Sequence, residues 1–436
     1  MISALSPNKP DFVITRLSQC VYDASTHRHT DTVKNCTIDL FVHIDCNAYF
    51  ASCEVATRPG LEGRPLVVAN GNETGGGVIL ALTPEAKALG LKRGIPLFKV
   101  RSLLRLNDVV VCPADHKKYR RISRQIMDTV QRQGIVLDFV QYSVDEFFGR
   151  LPVEEPATVT HYVRLVMDLI TSTTGIPVSC GCSQTYTLAK VATHYAKHYS
   201  GYHGVCVLTP DKRNKALAML PVADVWGIGR KHLQELAGMG IANAKQFADC
   251  DEHTVDSLFS LTGLRTWREL NGTPCINLNR PATQRSIMQS RTFARMTDRR
   301  EDLEQAVRTF ADTCASHLRN QHSVCHAVTV FLSTNRHRDD LGQYRNSTSV
   351  KLPSPTAFTP SIIKAALAAL NTIYREGFLY KQAGVVLTDI TYEKGVQLDL
   401  FNERDDERHR KLMQVTDELN RKFGGNNINF GHTDLN

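Results

Sequence analysis

The sequence predicts an α+β protein built from several domains, and three observations carry this prediction. A chain of 436 residues is too long for one ordinary hydrophobic core. Short apolar runs of strand length alternate with longer segments of helical period through roughly the first two hundred residues. Apolar residues make up 42% of the chain and charged residues 22%, which is the composition of a soluble globular protein.

The individual elements follow from apolar periodicity and from capping and turn residues. The predicted elements of the first part are, in order, a buried strand at 40–44, strands at 65–69 and 78–82, a short helix from Pro84 to Gly90, a long helix from Asp115 to about Arg132, a hairpin of strands 135–142 and 147–151, a helix at 159–173, a strand at 177–181 and a helix at 187–199. A helical segment follows at 210–279. The last third returns to strands, at 286–294, 324–332, 347–352 and 384–392, with helices ending at 320 and beginning at 360.

Composition excludes several classes of protein. No apolar run is long enough to cross a bilayer and the N-terminus lacks a signal-peptide pattern, so we expect a cytosolic protein. The 12 cysteines include no C-x-x-C pair, which favours reduced thiols over a zinc site. The glycine-rich stretch 71–77 lacks the G-K-[ST] of an ATP-binding P-loop.

Net charge is +8, from 52 lysines and arginines against 44 acids. Basic residues gather at 116–121, 285–300 and 336–338. Such clusters neutralise phosphates in nucleic-acid-binding proteins, but each is also compatible with a solvated helix face.

Three acids form the most informative pattern. Asp45 ends a predicted buried strand, and Asp145 and Glu146 lie at the bend of the predicted hairpin. Acids that converge from different segments would repel one another without a cation, and Mg²⁺ prefers such hard oxygen ligands. An isolated Asp-Glu pair is otherwise usually a plain turn.

The residues around these acids resemble the metal-binding motifs of the Y-family DNA polymerases. The two principal motifs are FVHIDCNAYFASCE at 41–54 and YSVDEFF at 142–148, and further matches follow in order at 85–90, 187–190, 196–197, 225–230, 272–275 and 290–293. The resemblance spans about 38–430 and is greatest to the UmuC group, the catalytic subunit of bacterial DNA polymerase V with its plasmid and mobile-element relatives.

This resemblance implies an error-prone polymerase that bypasses lesions in DNA repair and SOS mutagenesis. The implied fold is a right hand, with palm and fingers at 38–210, a helical thumb at 211–280 and a little finger at 281–393. Residues 1–37 would be an extension of unknown status, and 394–436 a C-terminal tail. A catalytically weakened relative that only occupies primer termini remains the alternative.

The resemblance also assigns site residues. Asp45, Asp145 and Glu146 would hold two Mg²⁺ ions, and Phe50 would lie under the sugar of the incoming nucleotide and reject a 2′-hydroxyl. Lys87 and Lys197 would contact the triphosphate, with Tyr49 in the same pocket. Two differences from the family are Phe147, which we expect to crowd the hairpin, and the finger stretch 80–83, which lacks the usual arginine.

Two peptides imply contacts outside the catalytic domain. Gly227, Gly229 and Arg230 resemble the tight turn of a helix-hairpin-helix that grips duplex backbone, although a plain turn between helices has the same pattern. Near the C-terminus, Gln397, Leu400 and Phe401 resemble a sliding-clamp-binding peptide. Implied partners are therefore primer-template DNA, deoxynucleoside triphosphates, the clamp, a UmuD′-like dimer and the RecA filament, in the bacterial cytoplasm at the nucleoid.

Overall fold

The computed structural model describes residues 40–71, 77–151, 156–278, 284–393, 407–424 and 428–430. The chain divides into two compact units, Met1–Arg280 and Pro281–Asn436. The extension at 1–37 and the clamp-like peptide at 397–401 lie outside the described residues. Within the part that is described, no helix has the length and apolar character needed to cross a membrane.

The described strands of the first unit form two sheets. Its strands are β1 Leu40–Cys46, β2 Leu66–Ala69, β3 Ile79–Leu82, β4 Val110–Pro113, β5 Leu137–Gln141, β6 Glu146–Leu151, β7 Val178–Ser183 and β8 Val205–Val207. The larger sheet has the order β5-β6-β1-β7-β8, which places β1 at its centre. The smaller sheet has the order β3-β2-β4 and is expected to belong to the fingers.

Helices cover both sheets and then form an all-helical segment. The helices of this unit are α1 Tyr49–Thr57, α2 Pro84–Ala88, α3 Leu97–Leu106, α4 His116–Gln133, α5 Pro156–Thr174, α6 Tyr186–His198, α7 Pro210–Met219, α8 Arg230–Gly238, α9 Ala244–Ala248, α10 Glu252–Leu258 and α11 Leu261–Leu270. Asp115 caps α4 by accepting hydrogen bonds from the amides of Lys117 and Lys118. Helix α6 lies directly on β7, because Gly181 has no side chain: an added Cβ would stand 2.1 Å from the amide nitrogen of Thr193.

The second unit is a four-stranded antiparallel sheet backed by two helices. Its elements are β9 Ile287–Thr297, α12 Arg300–Asn320, β10 Ser323–Thr334, β11 Arg345–Thr356, α13 Thr359–Ile373, β12 Tyr380–Thr388, the short strand β13 Thr391–Tyr392 and α14 Glu407–Phe423. The strand order is β11-β10-β12-β9, with β13 pairing to β10. Apolar side chains of α12 and α13 pack against the inner face of this sheet.

Helix α14 lies in the stretch that the sequence predicted to be a tail. It docks on the second unit through Arg319, whose guanidinium donates two hydrogen bonds to the Asp417 carboxylate, both at 2.7 Å. Met413 is buried in the same contact, and His409 stacks on Phe358. The C-terminal helix is therefore part of this unit's packing.

The predicted hairpin, its bend and the strand ending near Asp45 are confirmed, with bounds that differ by a few residues. Helices α1, α3 and α14 were not predicted. Helix α1 has no clear apolar stripe, because several of its small and polar positions are buried along with its apolar ones.

Candidate active site

Three acids meet at one end of strands β1 and β6. Asp45 is directly opposite Glu146 in the antiparallel register, so the two side chains lie on the same face of the sheet. The amide of Cys46 donates to the Asp145 carbonyl at 2.9 Å, which holds the hairpin bend against the end of β1. Ser143 stabilises the bend, since its hydroxyl donates to Asp145 Oδ1 at 2.5 Å and accepts from the Glu146 amide at 3.1 Å.

Two lysines of α6 pair with these acids. Lys197 Nζ lies 2.7 Å from Asp45 Oδ1, and Lys190 Nζ lies 2.6 Å from Glu146 Oε1. The lysines are two helical turns apart and therefore share one face of α6. Asp45 and Glu146 thus each have their own ammonium group, which balances their charge in a partly buried site.

The donor chemistry fits a hard divalent cation, since Asp45 and Glu146 are directly opposite each other and Asp145 lies at the adjoining bend. The present positions of these side chains, however, do not form a metal site. Among the residues that the structure describes, no group of three or more His, Cys, Asp or Glu is arranged to hold a metal ion. Asp45 and Glu146 face lysines instead, so metal binding requires these carboxylates to exchange partners.

His43 is a neighbour of the acids that the sequence analysis missed. It is buried, with Nε2 3.4 Å from Glu146 Oε1 and Nδ1 2.9 Å from the Thr193 hydroxyl. Burial lowers the pKa of this imidazole, so it is neutral near pH 7. The signal was available, because residues two apart on a strand share a face and His43 precedes Asp45 by two.

Glu146 remains ionised in this setting. Burial by itself would raise the pKa of its carboxyl, but the nearby His43 ring and the Lys190 ammonium outweigh that effect and lower the pKa to about 2. The carboxylate is therefore charged throughout the neutral range and available to a cation.

Phe50 forms an aromatic shelf at the start of α1. Its ring stacks on Tyr119 of α4, with centroids 4.4 Å apart and planes 15° apart, and it meets the edge of His116. Phe50 is only partly buried, whereas Tyr49 is in the core and donates its hydroxyl to the Tyr119 carbonyl at 2.7 Å. Tyr49 thus supports the shelf from beneath, and its place in the nucleotide pocket stays a prediction.

Glu54 anchors this shelf and was also missed as a functional residue. Its fully buried carboxylate accepts from the Tyr119 hydroxyl at 2.7 Å and from Lys118 Nζ at 2.8 Å, and it pairs with Arg58. Burial opposes ionisation, but the Lys118, Tyr119 and Arg58 contacts outweigh it and lower the pKa of Glu54. The carboxylate therefore ties α1 to α4.

Phe147 does not crowd the site as the sequence suggested. It is fully buried and stacks on Phe139 in the hydrophobic core, with centroids 5.5 Å apart. Its strand partner is Ile44, so it occupies the opposite face of the sheet from Asp45 and Glu146. A large residue after the acidic pair is therefore accommodated by the core.

The other predicted contact residues are distributed over the first unit. Lys87 is exposed on α2 and, among the described residues, contacts none of the three acids. Gly227 has φ of 89°, and an added Cβ would lie 2.6 Å from the Thr266 hydroxyl. Gly229 caps α8 and Arg230 is exposed in its first turn, so this turn presents amides and a cation to solvent.

Comparisons with known proteins show what this chain is similar to. The sequence model of the impB/mucB/samB family matches residues 44–194, and the model of that family's C-terminal domain matches residues 284–400. Protein UmuC of Salmonella typhimurium is 35% identical over 400 residues, covering 90% of this chain and 93% of that protein. DNA polymerase IV 1 of Bacillus subtilis is 26% identical over 405 residues, covering 90% and 93%.

A solved structure shares the fold. A Y-family DNA polymerase chimera superposes with a TM-score of 0.62, covering 81% of this chain and 99% of its own, at 18% identity. The predicted fold class is thereby confirmed. By its family matches and its identity to UmuC, the chain belongs to the impB/mucB/samB family, the UmuC-like Y-family DNA polymerases.

Proposed function

We propose that this protein is a template-directed, error-prone DNA polymerase that copies damaged templates in DNA repair and SOS mutagenesis. Its family membership and its similarity to UmuC and to DNA polymerase IV 1 support this function. One observation carries the chemistry: Asp45 and Glu146 are directly paired across β1 and β6, with Asp145 at the adjoining bend.

Y-family polymerases depend on divalent metal ions, and here we propose that Asp45, Asp145 and Glu146 hold two Mg²⁺ ions. When bound, these ions activate the primer 3′-hydroxyl and stabilise charge on the triphosphate. Asp45 and Glu146 lie on the central strand and its neighbour, and the backbone bond from Cys46 to Asp145 holds the adjoining bend against them. Ser143 keeps the Asp145 carboxylate oriented through its hydrogen bond.

Other residues of the first unit receive roles in nucleotide selection. Lys197 is paired with Asp45 and, once that carboxylate turns to a metal ion, its ammonium is free to bind a phosphate. Lys87 is exposed and is proposed to contact the same triphosphate. The Phe50 ring, braced by Tyr119, would block a 2′-hydroxyl and so select deoxynucleotides.

The proposed partners follow from the same relationship. The turn at Gly227, Gly229 and Arg230 would hold duplex phosphates without reading sequence. Gln397, Leu400 and Phe401 would dock on the sliding clamp, and a UmuD′-like dimer and the RecA filament would assist synthesis. Loss of clamp-stimulated extension in a Leu400→Ala, Phe401→Ala double variant, with extension alone unchanged, tests the clamp contact.

Primer extension on undamaged and abasic templates with Mg²⁺ tests the proposed activity. Asp145→Ala is expected to lower extension by at least about 100-fold on both templates. Asp128→Ala is the matched control, because Asp128 is an exposed acid of α4 outside the carboxylate cluster. Equal extension by Asp145→Ala and the unaltered protein would refute the catalytic assignment.

The alternative function is that of a catalytically weakened DNA-binding protein that occupies primer termini. A gel-shift measurement with the same primer-template separates the two functions. Binding without extension in the unaltered protein, with or without the accessory dimer and RecA filament, would support the alternative.

A further inference from the structure

Three aromatic rings surround the lysine that pairs with Glu146. Lys190 Nζ lies 5.1 Å from the ring centroid of Tyr142, 5.3 Å from Trp226 and 5.7 Å from Phe148. We name Tyr142, Phe148 and Trp226 the aromatic cage. Trp226 Nε1 donates to the Tyr142 hydroxyl at 3.1 Å and its indole stacks on Phe148, so the cage rings also hold one another.

The cage distinguishes Lys190 from Lys197. Among the described residues Lys197 has no aromatic ring in cation–π contact, and its side chain is 35% exposed against 19% for Lys190. An ammonium over several ring faces in a partly dehydrated site is held more firmly than an exposed ion pair. The two carboxylates therefore have counter-ions of unequal strength.

We propose that the aromatic cage holds Lys190 on Glu146 as a tethered counter-cation, which a divalent ion must displace before Glu146 acts as a metal ligand. This rests on the proposed function, because it takes Glu146 to be such a ligand. Trp226 is the positioning residue of the cage. Because Trp226 holds Lys190 in place, it controls how readily a metal ion reaches Glu146.

Trp226 also belongs to the turn proposed to grip DNA. It directly precedes Gly227, and its carbonyl accepts a hydrogen bond from the Thr266 hydroxyl of α11 at 3.3 Å. One residue thus contacts both the hairpin that contributes Glu146 and α11, the last helix of the helical segment. Movement of the turn on duplex binding would reach Lys190 through this indole.

Mn²⁺ binding to the full chain, without DNA or nucleotide, tests the displacement directly. The paramagnetic resonance signal of free Mn²⁺ reports binding independently of catalysis and of tryptophan. Lys190→Met removes the competing ammonium and is expected to tighten Mn²⁺ binding by about 3- to 30-fold. Trp226→Leu should shift affinity in the same direction by less, and Trp226→Phe, which keeps a ring, should remain near the unaltered protein.

Two controls make the result specific. Lys215→Met removes an exposed lysine of α7 and should leave Mn²⁺ affinity nearly unchanged, because distant surface charge is screened by salt. Glu146→Gln should weaken Mn²⁺ binding. Unchanged or weaker binding in both Lys190→Met and Trp226→Leu would overturn the tethered counter-cation, because a purely structural role predicts no gain in affinity.

Fluorescence provides a second measurement, which follows the surroundings of Trp226 rather than metal affinity. The chain has two tryptophans, so Trp267→Phe leaves Trp226 as the sole indole. Mg²⁺ should change Trp226 emission in that protein as Lys190 leaves the cage. The change should vanish when Lys190→Met is added. An identical fluorescence response with and without Lys190 would contradict the proposal. Mn²⁺ affinity that is unchanged in Glu146→Gln would instead refute the metal site of the proposed function.

Discussion

Replacing Glu54 with glutamine removes a charge from the contact between α1 and α4 while keeping the side-chain shape. The buried carboxylate accepts from the Tyr119 hydroxyl and pairs with Lys118 and Arg58. Breaking a buried pair typically costs about 3–5 kcal/mol, because the remaining charges are left uncompensated. Arg58 is half-exposed and can regain water, so we expect a loss of about 2–3 kcal/mol in the free energy of unfolding.

The pH dependence of this loss identifies its cause. The pKa of Glu54 is lowered in the folded protein, so its contribution is complete above the unfolded value of 4.5 and is lost as pH falls through the folded value. Urea unfolding at neutral pH and at successively lower pH should therefore show the gap between the unaltered protein and Glu54→Gln closing in acid. Glutamine does not titrate, so the variant gives the pH dependence of stability without the contribution of Glu54.

A matched control separates this pair from ordinary surface pairing. Glu252 pairs with Arg268 on the surface of the same unit, and Glu252→Gln should leave the unfolding midpoint unchanged. Because Tyr119 braces Phe50, Glu54→Gln should also raise ribonucleotide incorporation. A loss of stability that is the same at neutral and acidic pH would refute the charge-based explanation, since it would show that only shape or packing had changed.

Three further substitutions and the removal of metal ions test other features of the molecule. Gly181→Ala places a Cβ against the Thr193 amide and should cost about 2–3 kcal/mol in urea unfolding, with reduced primer extension because α6 carries both site lysines. Phe50→Ala should raise ribonucleotide incorporation by about 10- to 100-fold in single-nucleotide extension assays, and an unchanged ratio would exclude the shelf as the sugar filter. Arg319→Met removes both bonds to Asp417 and should expose α14 to limited proteolysis, while Lys364→Met, an exposed change on α13, should not. Chelation by EDTA should abolish extension but leave the thermal midpoint unchanged, because lysines already balance the charges of Asp45 and Glu146. A lowered midpoint would show that metal supports the fold.

The elements predicted best are those with a local signal. The strand ending near Asp45, the hairpin bend at Asp145 and the cap of α4 each depend on residues within a few positions of one another. Helix α1 was missed because its burial is set by contacts with α4 rather than by its own periodicity. The position of Phe147 depends on strand register in a related way: its pairing with Ile44 places the ring in the core, and residue size alone does not indicate this.

The pairing of Lys190 and Lys197 with the acids could not be predicted from the sequence, because it depends on how α6 packs on the sheet. Lys197 and Asp45 are 152 positions apart, and only the seating of α6 on β7 brings them together. Carboxylates that converge on partly buried strand ends would repel one another during folding, and a rigid helix carrying two cations removes that penalty before any metal binds. The same lysines must leave the carboxylates when a metal ion binds. In a site that folds without metal, ammonium groups and metal ions therefore compete for the same carboxylates. Because the aromatic cage holds Lys190 more firmly than Lys197 is held, substitutions at Lys190 make that competition measurable.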